Sequence, residues 1–266
     1  MKTAIIIPSR IDSTRLPRKA LAMINGKTLI QHCYESAVVA KCGDVFVATD
    51  NDEIAHIIQS CGGKTFMTPS HLPSGTDRVW NAYKQIGSEY DCIVNLQGDV
   101  PNIHPQIIQQ VIDTLKNTGG DISTATIKIN KEIAQDASCV KPVVAKNGRA
   151  LYFSRQPIPY GVDEYFEHIG IYAYTPQSLE KFINLEESPL EKLEKLEQLR
   201  ALENDMSIYV TIVDFADKPI NIDTQSNLNY ARKILKQQPK ERELRSTEKY
   251  KQIADSLRQN MKRRKK

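Results

Sequence analysis

The strongest constraint on the fold is a rhythm. Short runs of consecutive apolar residues alternate with stretches of helical periodicity. Ala4-Ile5-Ile6-Ile7 is apolar at every position and is closed by Pro8. A strand that shows no polar alternation is covered on both faces, as in a parallel sheet flanked by helices. The pattern then predicts a helix over Leu29–Ala40, a strand over Val45–Thr49 and a helix over Asp52–Ser60. Next come a strand over Lys64–Met67, a helix over Asp77–Ile86 and a strand over Cys92–Leu96. Ile107–Lys116 reads as a helix and Ile122–Ile127 as a strand. This order predicts an α/β fold with a mostly parallel, Rossmann-like sheet flanked by helices.

Beyond Cys139 the rhythm changes. Val140–Ala145, Ala150–Phe153 and Ile169–Tyr174 read as strands with little helix between them, so a smaller antiparallel subdomain is expected at about 139–200. Leu190–Glu203 reads as one helix, with Leu193, Leu196 and Leu199 as its apolar stripe. Ile208–Val213 is a strand and Gln225–Gln237 a helix broken by Pro239. The expected organisation is a main domain over 1–235 and a basic, helical or disordered tail over 236–266.

Charge divides at the same boundary. Ala231–Lys266 holds fourteen Lys and Arg against four Asp and Glu, while the first 230 residues hold 22 basic and 28 acidic side chains. The body is therefore slightly acidic, which argues against a nucleic-acid-coating surface outside the tail. The early apolar run is too short for a membrane span or a signal peptide, so a cytoplasmic protein is expected. Cys33, Cys42, Cys61, Cys92 and Cys139 are odd in number and lack C-x-x-C spacing; they read as reduced thiols.

Chemistry is sought at the carboxyl ends of the strands, where open α/β sheets bind ligands. After the first strand comes a loop that contains no glycine and carries Arg10, Arg15, Arg18 and Lys19. Four cations so close repel unless an anion joins them, and a triphosphate accepts bidentate arginine contacts; a solvated basic loop is the plainer alternative. In His71-Leu72-Pro73-Ser74-Gly75-Thr76-Asp77-Arg78, Ser74 or Thr76 can cap a helix, and Gly75 permits close approach of a ligand. Asp99 follows the Cys92–Leu96 strand in Asn95-Leu96-Gln97-Gly98-Asp99. It is either a turn residue or a ligand for Mg²⁺, which uses one or two carboxylates together with substrate phosphates. Asp223, in Ile220-Asn221-Ile222-Asp223-Thr224, is either a helix cap or the second such ligand.

Taken in order, the words IPSRIDSTRLPRK, VATD, HLPSGTDR, VNLQGDVP, ALYFSRQPIP, HIGIYAY, SPLEKLEKLEQLR and IDT closely resemble the 3-deoxy-manno-octulosonate cytidylyltransferases, or CMP-KDO synthetases. The resemblance covers about Lys2 to Leu235. It implies transfer of CMP from CTP to 3-deoxy-D-manno-octulosonate (KDO), with release of pyrophosphate, to activate the sugar for lipopolysaccharide synthesis. It also implies Mg²⁺ as cofactor and a homodimer. By resemblance, Arg10, Arg15 and Lys19 hold the triphosphate; Ser74, Gly75 and Gln97 surround cytosine and ribose; Asp99 and Asp223 bind Mg²⁺. Lys19, Asp99 and Asp223 form the catalytic set. Arg155, His168, Tyr172, Glu197 and Gln198 surround the sugar. Three features depart from the family pattern: Arg18 replaces a glycine, Val100 replaces a glutamate, and the basic tail is longer. Two rival readings are activation of another acidic sugar, such as a sialic acid, and a nucleic-acid or scaffolding role for the Lys262–Lys266 run.

Overall fold

A computed structural model describes residues 1–87, 89–214 and 218–235. The expectations for Pro239 and for the 236–266 tail lie outside these residues. The elements are β1 (Thr3–Ser9), β2 (Met23–Ile24), β3 (Lys27–Thr28), α1 (Leu29–Ala40), β4 (Asp44–Thr49), α2 (Asp52–Ser60), β5 (Lys64–Met67), α3 (Gly75–Ile86), β6 (Cys92–Leu96) and α4 (Pro105–Thr118). They continue with β7 (Ile122–Asn130), α5 (Lys131–Ala134), β8 (Lys141–Val144), β9 (Ala150–Ser154), β10 (Glu164–Tyr174), α6 (Pro176–Ile183), α7 (Pro189–Glu194), α8 (Leu199–Glu203), β11 (Ile208–Val213) and α9 (Gln225–Ile234).

Seven strands form one sheet in the order β11-β7-β10-β6-β1-β4-β5. Pairings among β6, β1, β4 and β5 are parallel, as is β7 with β11. Only β10 runs against its neighbours, and it joins the two parallel blocks. Within the part expected to be separate and antiparallel, β8 and β9 form their own two-stranded sheet, whereas β10 lies inside the main one.

All seven residues of β1 are buried, as its unbroken apolar run requires. Because side chains alternate across a strand, Ile5 and Ile7 pack under α1 and α4, whereas Ala4 and Ile6 face α3 and α6. The helices begin where the sequence offers an acceptor: Thr28 caps α1, Asn51 caps α2 and Ser74 caps α3.

The helix expected over Leu190–Glu203 is instead two short ones. Lys195 takes a left-handed conformation (φ 54°) between α7 and α8. The expected stripe fails with it: Leu196 and Leu199 are buried, but Leu193 is 79% exposed. The break is satisfied from elsewhere in the chain. Arg155 donates from Nε to the Glu194 carbonyl at 2.7 Å and from Nη2 to the Lys195 carbonyl at 3.3 Å. These bonds take up carbonyls that a continuing helix would have used. Among the described residues no helix is long and apolar enough to cross a membrane.

Candidate active site

The carboxyl ends of β1 and β6 open into a cavity of about 320 Å³. Arg10, Arg15, Lys19, Ser74, Gly75, Gln97, Asp99 and Asp223 all line it. Their arrival at one place follows from topology. β1 and β6 are parallel neighbours, so the loops that leave them emerge on the same edge. Gly98 allows those loops to touch: a Cβ there would lie 2.7 Å from the Pro8 carbonyl oxygen. The Ile222 amide donates to the Asp99 carbonyl at 3.0 Å, which draws Asp223 in from the far end of the chain.

Lys19 sits between two carboxylates. Its Nζ lies 2.8 Å from Asp99 Oδ2 and 3.0 Å from Asp223 Oδ1, and Arg15 Nη2 lies 3.0 Å from Asp223 Oδ2. Burial disfavours the Lys19 charge, but the two carboxylates more than offset this and hold its pKa above the ordinary lysine value. Asp223 is not the cap of α9. Thr224 fills that role by accepting from the Asn227 amide, which leaves the Asp223 carboxylate free to face Lys19. Asp99 and Asp223 thus each aim an oxygen at the Lys19 ammonium, and two carboxylates so placed could also serve a hard divalent ion that takes phosphate oxygens.

Ser74 Oγ accepts from the Thr76 and Asp77 amides, both at 3.1 Å. Behind this turn runs a polar chain. Gln97 Nε2 donates to Asn95 Oδ1 at 3.0 Å, Asn95 Nδ2 to Thr76 Oγ1 at 3.2 Å, and Thr76 Oγ1 to Glu197 Oε2 at 2.9 Å. Burial raises the Glu197 pKa above the usual carboxylate value, against the pull of the Ser74 and Thr76 donors.

The residues attributed to the sugar do not line this cavity. His168 and Tyr172 lie on one face of β10 with ring centroids 5.3 Å apart. His168 Nε2 meets Thr124 Oγ1 at 2.9 Å, and burial pushes its pKa down to about 4. Burial likewise raises the Tyr172 phenol. Glu197 joins the nucleotide side through Thr76. Gln198 Nε2 is buried with no hydrogen-bond partner among the described residues. Arg155 is drawn away, its guanidinium spent on the backbone carbonyls of Ala137, Glu194 and Lys195. On the opposite face of β10, Glu167 lines a second cavity of about 640 Å³ that shares Arg15 and Asp223 with the first.

Two of the three departures from the family pattern have structural correlates; the third, the basic tail, lies outside the described residues. Arg18 adopts a left-handed conformation (φ 53°) of the kind glycine favours, and its guanidinium pairs with Glu53. It does not line the cavity, so the loop presents three cations there rather than four. Val100 is buried in the core. Sequence reasoning assigned no role to Asp50 or Arg78, although Arg78 lines the cavity and pairs with Asp50. Their signal was positional: each sits at a strand end or helix start on the ligand-binding edge.

A family model described as cytidylyltransferase matches residues 4–208. The chain is 44% identical over 235 residues to the 3-deoxy-manno-octulosonate cytidylyltransferase of Rickettsia prowazekii, covering 88% of this chain and 95% of that protein. It is 45% identical over 233 residues to the protein of that name from Rickettsia rickettsii, covering 87% and 96%. A solved structure of CMP:2-keto-3-deoxy-manno-octonic acid synthetase complexed with CTP superposes with a TM-score of 0.84 at 37% identity, over 89% of this chain and 99% of that one. A cytidylyltransferase from Leptospira borgpetersenii, 22% identical, shares the fold with a TM-score of 0.58 over 85% of this chain and 83% of that one.

Proposed function

This chain belongs to the cytidylyltransferase family, among the 3-deoxy-manno-octulosonate cytidylyltransferases, and we propose that it transfers CMP from CTP to KDO with release of pyrophosphate. The product is KDO activated for lipopolysaccharide synthesis. The observation that carries this reading is the single cavity in which Arg10, Arg15 and Lys19 face Ser74, Gly75 and Gln97 across the Asp99–Asp223 pair.

The reaction is an in-line attack by the anomeric C2 hydroxyl of KDO on the α-phosphorus of CTP. It asks the protein for positioning and for neutralisation of charge. Arg10, Arg15 and Lys19 hold the triphosphate and stabilise the charge that builds on the departing pyrophosphate. Gln97 is fixed by Asn95 and offers its amide to the base, while the turn at Gly75 lets backbone approach the base edge. Asp99 and Asp223 would hold Mg²⁺, which when bound supplies positive charge at the α-phosphate and acidifies the attacking hydroxyl. Two convergent carboxylates beside a basic loop fit that ion. Burial keeps His168 neutral near pH 7, so as a sugar-side residue it would contribute a hydrogen bond without charge. The same reading makes the protein a cytoplasmic homodimer.

The test is pyrophosphate release from CTP and Mg²⁺, with KDO and N-acetylneuraminate in parallel and an EDTA control. Release with KDO that EDTA abolishes is the expected result. Release only with N-acetylneuraminate would replace the sugar, and release with neither would overturn the reading.

A further inference from the structure

One buried ion pair stands in the wall of the nucleotide cavity, where Arg78 is a lining residue, and the proposed reaction assigns it no role. Asp50 follows β4 directly, and Arg78 stands in the first turn of α3. Arg78 Nη2 lies 3.0 Å from Asp50 Oδ2, and their side chains are 3% and 6% exposed. Each partner has further contacts. Asp50 Oδ1 accepts from the Ile11 amide at 3.1 Å, immediately after Arg10. Arg78 Nη1 donates to Thr68 Oγ1, and that hydroxyl donates to the Thr49 carbonyl at 3.1 Å. The pair therefore ties together the ends of β4 and β5, the basic loop, and the helix whose cap is Ser74. Burial disfavours the Arg78 charge and the nearby Arg10 charge adds to this, while Asp50 opposes both.

We propose that Asp50 and Arg78 are positioning residues for the nucleotide: their ion pair sets the span between the basic loop, which takes the phosphates, and the Ser74–Gly75 turn, which takes the base. This rests on the CTP reading above. The geometry gives it a definite form. A carboxylate serves two donors here, the Ile11 amide and the Arg78 guanidinium, with one oxygen each. An asparagine has one acceptor oxygen, so one donor is left facing an amide NH₂. Either way one arm of the clamp is released, and the loop and the turn lose their fixed separation.

The test measures CTP binding by calorimetry in the presence of Mg²⁺, and turnover with KDO, for the parent chain, Asp50→Asn and the double variant Asp50→Leu/Arg78→Met. Apolar replacement of both partners removes the clamp without leaving a buried charge unpaired, and such swaps are often neutral for stability. In both variants the CTP Kd and KM are expected to rise about tenfold, the scale of one lost hydrogen bond to a charged acceptor. The kcat is expected to stay within about threefold and the KM for KDO to be unchanged, because the Arg78 guanidinium is spent on Asp50 and Thr68 and the pair acts through the loop and the turn. A double variant that folds and binds CTP like the parent would overturn the proposal. So would a double variant that fails to fold by circular dichroism, since the pair would then be a scaffold element. A parent that binds CTP but does not turn over KDO would refute the sugar reading and leave the clamp to be judged on binding alone. A parent that does not bind CTP would refute both.

Discussion

His168 offers the most quantitative prediction. Its imidazole is packed against Phe153 and Tyr172, meets the Thr124 hydroxyl, and is held by burial at a pKa of about 4. In the unfolded chain a histidine takes its proton near pH 6.5. Between these values the unfolded state binds more protons than the folded one, so folding stability falls as the pH falls. The contribution is fully present above about pH 6.5 and is lost toward pH 4. The whole gap corresponds to roughly 3 kcal/mol, of which about 2 kcal/mol is lost between pH 7.5 and pH 5. His168→Gln can keep a hydrogen bond to Thr124 but does not titrate. Urea unfolding of both proteins at the two pH values, followed through the single tryptophan Trp80, isolates this term because every other titrating group is common to both. The parent should lose about 2 kcal/mol more than the variant on acidification. Parallel losses in the two proteins would refute the assignment of a buried neutral imidazole.

Three further outcomes follow from the site. Lys19→Met should weaken CTP binding, yet in the absence of nucleotide it should bind Mn²⁺ roughly tenfold more tightly, because the ammonium between Asp99 and Asp223 no longer competes; titration followed by electron paramagnetic resonance reads this, and equal Mn²⁺ affinity would count against a metal at that point. Gly98→Ala forces a Cβ against the Pro8 carbonyl and should cost about 1–3 kcal/mol while lowering kcat through a displaced Asp99; unchanged thermal stability and turnover would show that the two loops yield freely. Ser74→Ala removes the α3 cap and should cost about 1 kcal/mol by chemical denaturation, and an unchanged urea midpoint would show that another group caps the helix.

The fold was legible where local chemistry decided it. The bounds of α1, α2, β5, β6 and β11 follow from apolar periodicity and their breakers. The position of β10 was not legible, because its neighbours β6 and β7 are chosen by pairing across the sheet and its own residues do not specify them. Nor was the break at Lys195, which is compensated by Arg155 about forty residues earlier. The nucleotide and carboxylate residues stood out because they cluster at strand ends. Asp50 and Arg78 did not, since each reads as an ordinary surface charge until β4 and α3 are brought together. The residues attributed to the sugar came from resemblance alone, and Arg155 illustrates the limit of that route: its guanidinium grips a helix end.

The reach of Asp223 toward Asp99 has a consequence for how the protein comes into being. Apart from Asp223, every side chain around the nucleotide cavity is drawn from positions 8–99. The second carboxylate arrives more than a hundred residues later and is stitched in by the Ile222 amide. During synthesis, the side chains that line the rest of the cavity emerge well before the group that completes the carboxylate pair. The strands that carry them are packed by β10, α4 and α6, which also come later, so turnover reports on the integrity of nearly the whole polypeptide.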